Sequence, residues 1–172
     1  MSLVTPLKRT AIIVRDMERS LQFYRDVLGM NVWIQGTAGS DIPELFRLLG
    51  VGVGAMRWII LQSENIDWGM VGLFELIDPV PDDAHCPAPQ RANRGEACLV
   101  FHTPDIEQIH QRAKAMGLLI LCPPVTLVLA QHNVESREMT MRDPNGVLLN
   151  FIQNIKGGSV GLSNRFPGLR TN

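Results

Sequence analysis

The sequence predicts an α+β fold made of two βαβββ repeats, and three observations predict it. The stretch from Leu7 to Met30 reads as a short apolar strand, an acidic helix start, an amphipathic helix and a glycine stop. A weaker copy follows 89 residues later, where Asp105-Ile106-Glu107 answers Asp16-Met17-Glu18. Each helix is then followed by further short apolar runs. Each half is therefore expected to form one strongly curved sheet with a helix on its outer face.

In the first half, Arg9 to Val14 alternates loosely and ends in β-branched residues, as a strand does. Asp16 is placed to cap the helix, and Glu18 adds negative charge to its first turn. Met17, Leu21, Tyr24 and Leu28 recur at helical spacing, widened by Phe23 and Val27. Gly29 ends the helix. A strand then runs from Asn31 to Ile34, and Gly36 to Ser40 reads as a loop. Ile42, Leu45, Phe46 and Leu49 predict a short helix closed by Gly50. Two strands follow, Met56 to Gln62 and Met70 to Ile77, joined by a polar turn around Asn65.

Four prolines between positions 79 and 94, and little apolar content after Val80, mark 81–94 as a linker between a first module, 1–80, and a second, 95–155. His85 lies in that linker and is a weak ligand-contact candidate. Ala97 to Thr103 reads as a strand, with Thr103 as helix cap and Pro104 as the first helical residue. Ile106, Ile109, Ala113 and Met116 form the buried stripe, and Gly117 ends it. Leu118 to Cys122 reads as a strand stopped by Pro123-Pro124, and Val125 to Ala130 as a strand or loop. Glu135 to Arg142 and Val147 to Gln153 flank Asp143-Pro144-Asn145-Gly146, a strong hairpin signal. The Gly-rich tail, 156–172, is either frayed or docked on a partner.

Composition excludes several classes. The chain has 172 residues, 45% apolar and 19% charged, and a net charge of −1. It carries no basic footprint for nucleic acid and no apolar run approaching the roughly 18 residues that span a bilayer. Three irregularly spaced cysteines and the absence of a leader-like N-terminus point to a cytoplasmic protein with reduced thiols.

The pattern D-M-E-R-S-L-Q-F-Y-R-D-V-L-G-M, the second strand–helix unit, and R-D-P-N-G-V-L-L-N-F resemble the vicinal oxygen chelate superfamily over about residues 6 to 154. That superfamily includes glyoxalase I, bleomycin-resistance proteins and extradiol dioxygenases. The resemblance implies the glyoxalase-like fold, with curved sheets enclosing a cleft, and a homodimer. It also implies four metal-ligand positions, which fall here on Arg9, Glu75, Cys98 and Asn150. A guanidinium cannot ligate, and an amide is a weak ligand, so no bound metal is expected. If one binds, it is a divalent zinc, manganese or iron ion held by Glu75 and Cys98, with a shifted His102 or Glu96.

On this reading Arg9 and Glu75 face each other, Glu75 moving a proton and Arg9 stabilising an oxyanion. Strand parity puts Glu96, Cys98, Val100 and His102 on one face, with His102 available for acid–base work. Cys98, Asn150, Arg137, Trp58 and Phe46 are candidates to contact substrate, and Glu138 and Arg142 lie near Arg137. The expected function is an isomerase- or lyase-type enzyme acting on a small carbonyl or aromatic compound. The alternatives are a metal-free small-molecule binding or resistance protein, and a metal-dependent lyase or dioxygenase with non-standard ligands. A partner module using the tail is a further option.

Overall fold

The alternation of short apolar strands with two capped helices yields two compact units, Met1–His85 and Cys86–Asn172, in a computed structural model. Residues 3–83 and 88–157 are described. His85 and the tail beyond 157, with the roles expected of them, lie outside the described residues.

The first unit contains β1 (Arg9–Ile13), α1 (Met17–Leu21), β2 (Asn31–Ala38), α2 (Pro43–Leu49), β3 (Ala55–Gln62) and β4 (Met70–Asp78). Its sheet has the order β1-β4-β3-β2, with β1 parallel to β4 and the other pairs antiparallel. The second unit contains β5 (Cys98–His102), α3 (Ile106–Ala115), β6 (Ile120–Leu129), β7 (Val134–Arg142) and β8 (Leu148–Lys156). Its order, β5-β8-β7-β6, repeats the first, again with one parallel pair. This is the βαβββ repeat that the sequence predicts.

Asp16 caps α1 by accepting from the Arg19 N–H at 2.9 Å. The helix then widens into a π-helical stretch, Gln22–Val27, before Gly29 takes a φ of 75°. Its inward side chains Met17, Leu21, Phe23 and Tyr24 are all buried. In the second unit Asp105, not Thr103, is the cap, accepting from Gln108 N–H at 3.0 Å. Thr103 instead accepts from the Asp105 N–H at 3.1 Å. The helix begins two residues later than read, which aligns it with the first repeat.

Two strands outrun their sequence-based limits. β2 continues through Gly36 and Thr37, which pair with Trp58 and Arg57. Gly36 is needed there because a Cβ would sit 2.6 Å from Trp58 Cζ2; the indole lies across the strand. β6 runs through Pro123-Pro124 rather than stopping, with a register shift between Cys122 and Val125. β6 is an edge strand, so the missing proline N–H groups cost no ladder bond on its outer side.

The two sheets differ in what covers the face away from the helix. In the first unit Phe46 of α2 is fully buried against Met56, Ile60, Met70, Phe74 and Leu76. Burying a ring of that size stabilises by about 1.5–3 kcal/mol. In the second unit β6 and β7 are joined by a single 3-10 turn, Ala130–His132, and no helix stands at the place of α2. The corresponding face keeps Cys98, Val100 and His102 exposed.

Residues 88–96 are held to the second sheet rather than hanging from it. The Arg142 guanidinium, 3% exposed, donates to the carbonyls of Pro89 (2.6 Å), Arg91 (2.8 Å) and Gly146 (2.6 Å) and pairs with Glu96. That partner holds the Glu96 carboxyl down at about 2, well below its ordinary 4.5. The turn beyond is closed by Asp143, whose Oδ1 accepts from the N–H groups of Asn145 (2.8 Å) and Val147 (2.7 Å).

Candidate functional site

The register decides which side chains can meet. In the second sheet His102, Ile152 and Glu138 form one row across β5, β8 and β7. Val100, Asn150 and Thr140 form the next row. Directly paired residues project to the same face. At about 4.8 Å per strand, His102 and Glu138 stand about 10 Å apart, with Ile152 between them. The exposed Val100 and the half-buried Ile152 make an apolar floor.

The polar groups on that floor form a short network. Ser136 Oγ donates to Glu138 Oε1 at 2.9 Å. Asn150 Nδ2 lies among Glu138 Oε2 (3.5 Å), the Met139 carbonyl (3.4 Å) and Thr140 Oγ1 (3.4 Å). None of the three is a short bond, so the amide keeps donor capacity for a ligand. Cys98 stands at the start of β5, on the same face. Desolvation, and behind it the Glu96 carboxylate, push its thiol up from the ordinary value, which disfavours a thiolate ligand or nucleophile.

Glu75 and Arg9 do not face each other. Arg9 pairs with Met70, five residues before Glu75, or about 16 Å along the strand. That odd spacing also puts them on opposite faces of the sheet. Glu75 Oε1 accepts from the Met17 N–H at 2.9 Å, and Oε2 lies 3.9 Å from Arg57 Nη1. Arg57 Nη2 in turn donates to Glu18 at 2.6 Å. Glu75 thus serves the N-terminus of α1, where backbone donors lack helical partners.

Arg137 belongs to the same device in the second repeat. It pairs with Glu107 on α3, and its cross-strand neighbour Gln153 accepts from the Ile106 N–H at 3.0 Å. Arg137 is therefore on the helix side, away from Asn150. Arg142 is committed to Glu96 and three carbonyls. Phe46 is fully buried, and Trp58 packs half-buried against the same cluster. Of the expected site residues, Cys98, His102 and Asn150 lie on the same face of the second sheet.

Asn150 lies two residues beyond the partner of Cys98, so its equivalent in the first repeat lies two beyond the partner of Arg9. That residue is Gly72, not Glu75. A Cβ on Gly72 would meet Phe74 Cε2 at 2.9 Å and Ile60 Cδ1 at 3.0 Å, so the place of a ligand side chain is filled by apolar groups. The four positions thus hold Arg9, Gly72, Cys98 and Asn150. A guanidinium, no side chain, a protonated thiol and an amide do not fit a divalent metal. Among the described residues no three His, Cys, Asp or Glu side chains cluster as a metal site. The alternative set with Glu96 fares no better, because Arg142 and the Asn93 N–H, at 2.9 Å, occupy that carboxylate.

Sequence reading missed the place of Glu138 beside Asn150. The signal was available: pairing Arg142 with Leu148 around the Asn145-Gly146 turn fixes Thr140 opposite Asn150 and Glu138 opposite Ile152.

Each unit carries the βαβββ order of the glyoxalase-like fold. The family model described as the Glyoxalase/Bleomycin resistance protein/Dioxygenase superfamily matches residues 7–151, and the chain belongs to that superfamily. Among solved structures, a glyoxalase family protein from Bacillus cereus is 17% identical, with a TM-score of 0.73 over 89% of this chain and 96% of that one. A glyoxylase/bleomycin resistance protein/dioxygenase domain from Frankia sp. EAN1pec is 16% identical, with a TM-score of 0.59 over 92% and 96%. A glyoxalase/dioxygenase from Nostoc punctiforme is 20% identical, with a TM-score of 0.56 over 90% and 97%. These likenesses concern the fold. No curated protein matches the sequence. No helix of the described residues is long and apolar enough to cross a membrane.

Proposed function

We propose that the chain is a metal-independent member of the superfamily that binds a small organic molecule on the open face of its second sheet. The observation that carries this reading is the floor of Val100 and Ile152 flanked by His102, Asn150 and Glu138, beside ligand positions that do not suit a metal. Calorimetry with a bleomycin-type antibiotic and with planar aromatic compounds tests it, alongside elemental analysis of protein purified without added metal. Saturable binding by metal-free protein, weakened by Asn150→Leu, is the expected result. Stoichiometric metal, or binding that requires it, overturns the reading.

A catalytic version is supported by the row His102–Ile152–Glu138. Glu138 would take a proton from a carbon next to a carbonyl, and Asn150 Nδ2 would donate to the resulting oxyanion. Product formation from a bound carbonyl compound, lost in Glu138→Gln, distinguishes this version from binding alone. A homodimer is supported by Val32, Trp33 and Ile34, exposed on edge strand β2. Sedimentation equilibrium tests it.

A further inference from the structure

We infer that Glu138 selects, for this open face, ligands that carry an organic cation joined to a flat apolar body. The inference rests on the proposed binding face and adds the chemical class of its ligand. Glu138 is half-buried, and its hydrogen-bond partners, Ser136 Oγ and Asn150 Nδ2, are neutral donors. Among the described residues no cationic side chain pairs with it. Its counterparts are treated differently: Glu75 has Arg57, Glu96 has Arg142, and Glu107 has Arg137.

Arg142, the one arginine on the same strand face, is spent on Glu96 and backbone carbonyls. A carboxylate partly removed from water and lacking a counter-charge favours a ligand that supplies one. Oε1 is engaged at 2.9 Å, whereas the contact to Oε2 is 3.5 Å, so Oε2 keeps the capacity to accept from a charged N–H donor. The neighbouring Ile152 and Val100 offer area for the apolar body, and Asn150 offers a donor to an oxygen on it. An anionic ligand meets the same carboxylate with the opposite sign.

The test uses three probes with one ring system: 1-naphthylmethylammonium, 1-naphthalenemethanol and 1-naphthoate. Binding to the full chain is followed by the backbone amide resonances of Val100, Thr140 and Ile152. The cation is expected to bind about ten-fold tighter than the alcohol, with the naphthoate weakest. Glu138→Gln is expected to remove that preference, bringing cation and alcohol to the same affinity. Raising the salt concentration on the unaltered protein should also narrow it, which keeps the test independent of any variant. Equal binding of cation and alcohol, tighter naphthoate binding, or a preference that survives Glu138→Gln overturns the inference and leaves the binding face standing. If no probe moves those three resonances, the binding face itself is wrong, and the inference falls with it.

Discussion

Glu75 accepts the backbone N–H of Met17 at 2.9 Å, and 78 residues later Gln153 does the same for Ile106 at 3.0 Å. In both repeats the neighbouring strand adds an arginine, Arg57 or Arg137, that reaches an acid in the helix's first turn, Glu18 or Glu107. The pair of devices fastens each helix start to its sheet. It accounts for one expected catalytic residue and one expected substrate ligand without any chemistry.

Because the second repeat makes this bond with an amide oxygen, the charge on Glu75 is dispensable. Glu75→Gln should leave stability within about 0.5 kcal/mol of the parent. Glu75→Ala should lose about 1 kcal/mol, the ordinary cost of a lost cap. Urea denaturation measures both, and ligand binding should be unchanged in each. Equal, large losses in the two variants would show that the ion pair to Arg57 matters more than the cap.

Gly72 sits where Phe74 and Ile60 already fill the space of a side chain. Gly72→Ala should cost about 1–3 kcal/mol by overpacking. Gly72→Glu should cost more and should not create metal binding. Thermal unfolding with and without added zinc reads both effects.

Phe46 is the ring that closes the first sheet's second face. Phe46→Ala should cost about 3–5 kcal/mol, the range for truncating a buried aromatic. Trp58 packs against the same cluster, so its emission should shift to the red as water enters. A destabilised variant with unchanged emission would mean that the cluster refills from elsewhere.

Glu96 gives a pH dependence whose sign follows from its partner. Its carboxyl is held at about 2 when folded, against an ordinary 4.5. The stabilisation is complete above the ordinary value and is lost as pH falls from about 4.5 toward 2. Arg142→Met should flatten stability across that window and cost about 3–5 kcal/mol near neutral pH, since it leaves Glu96 and three carbonyls without their donor. Urea midpoints collected as a pH series provide the check.

The repeat, the first cap and the strand–helix order were legible because each has a local signature. Asp16, Gly29, Gly117 and the Asn145-Gly146 turn act within a few residues of themselves. The second cap was misplaced, because Thr103-Pro104 carries a start signal of its own two residues before Asp105, which caps α3. The face on which Glu75 lies was not legible. β4 is apolar on both sides, Met70, Phe74 and Leu76 against α2 and Val71 and Leu73 on the other side, so alternation carries no information there. Only the pairing of Arg9 with Met70 reveals it. On β5 the alternation of Cys98, Val100 and His102 with Leu99 and Phe101 is readable, and Phe101 stacks on Phe151 at 5.7 Å as the parity requires. The role of Arg142 was hidden because its partners lie about fifty residues away, in a stretch without periodicity.

The helix α2 has a consequence for how this protein can change. In the first repeat that short insertion turned a sheet face into core, where each residue is constrained by its neighbours. In the second repeat the same face keeps Val100 and His102 exposed, so replacements there disturb less packing. Shifts in ligand preference among descendants of this chain should therefore accumulate at Val100, Thr140 and Ile152. Their counterparts beneath α2 should stay fixed. The two halves of one repeated architecture thus leave unequal room for substitution, one held by packing and the other exposed.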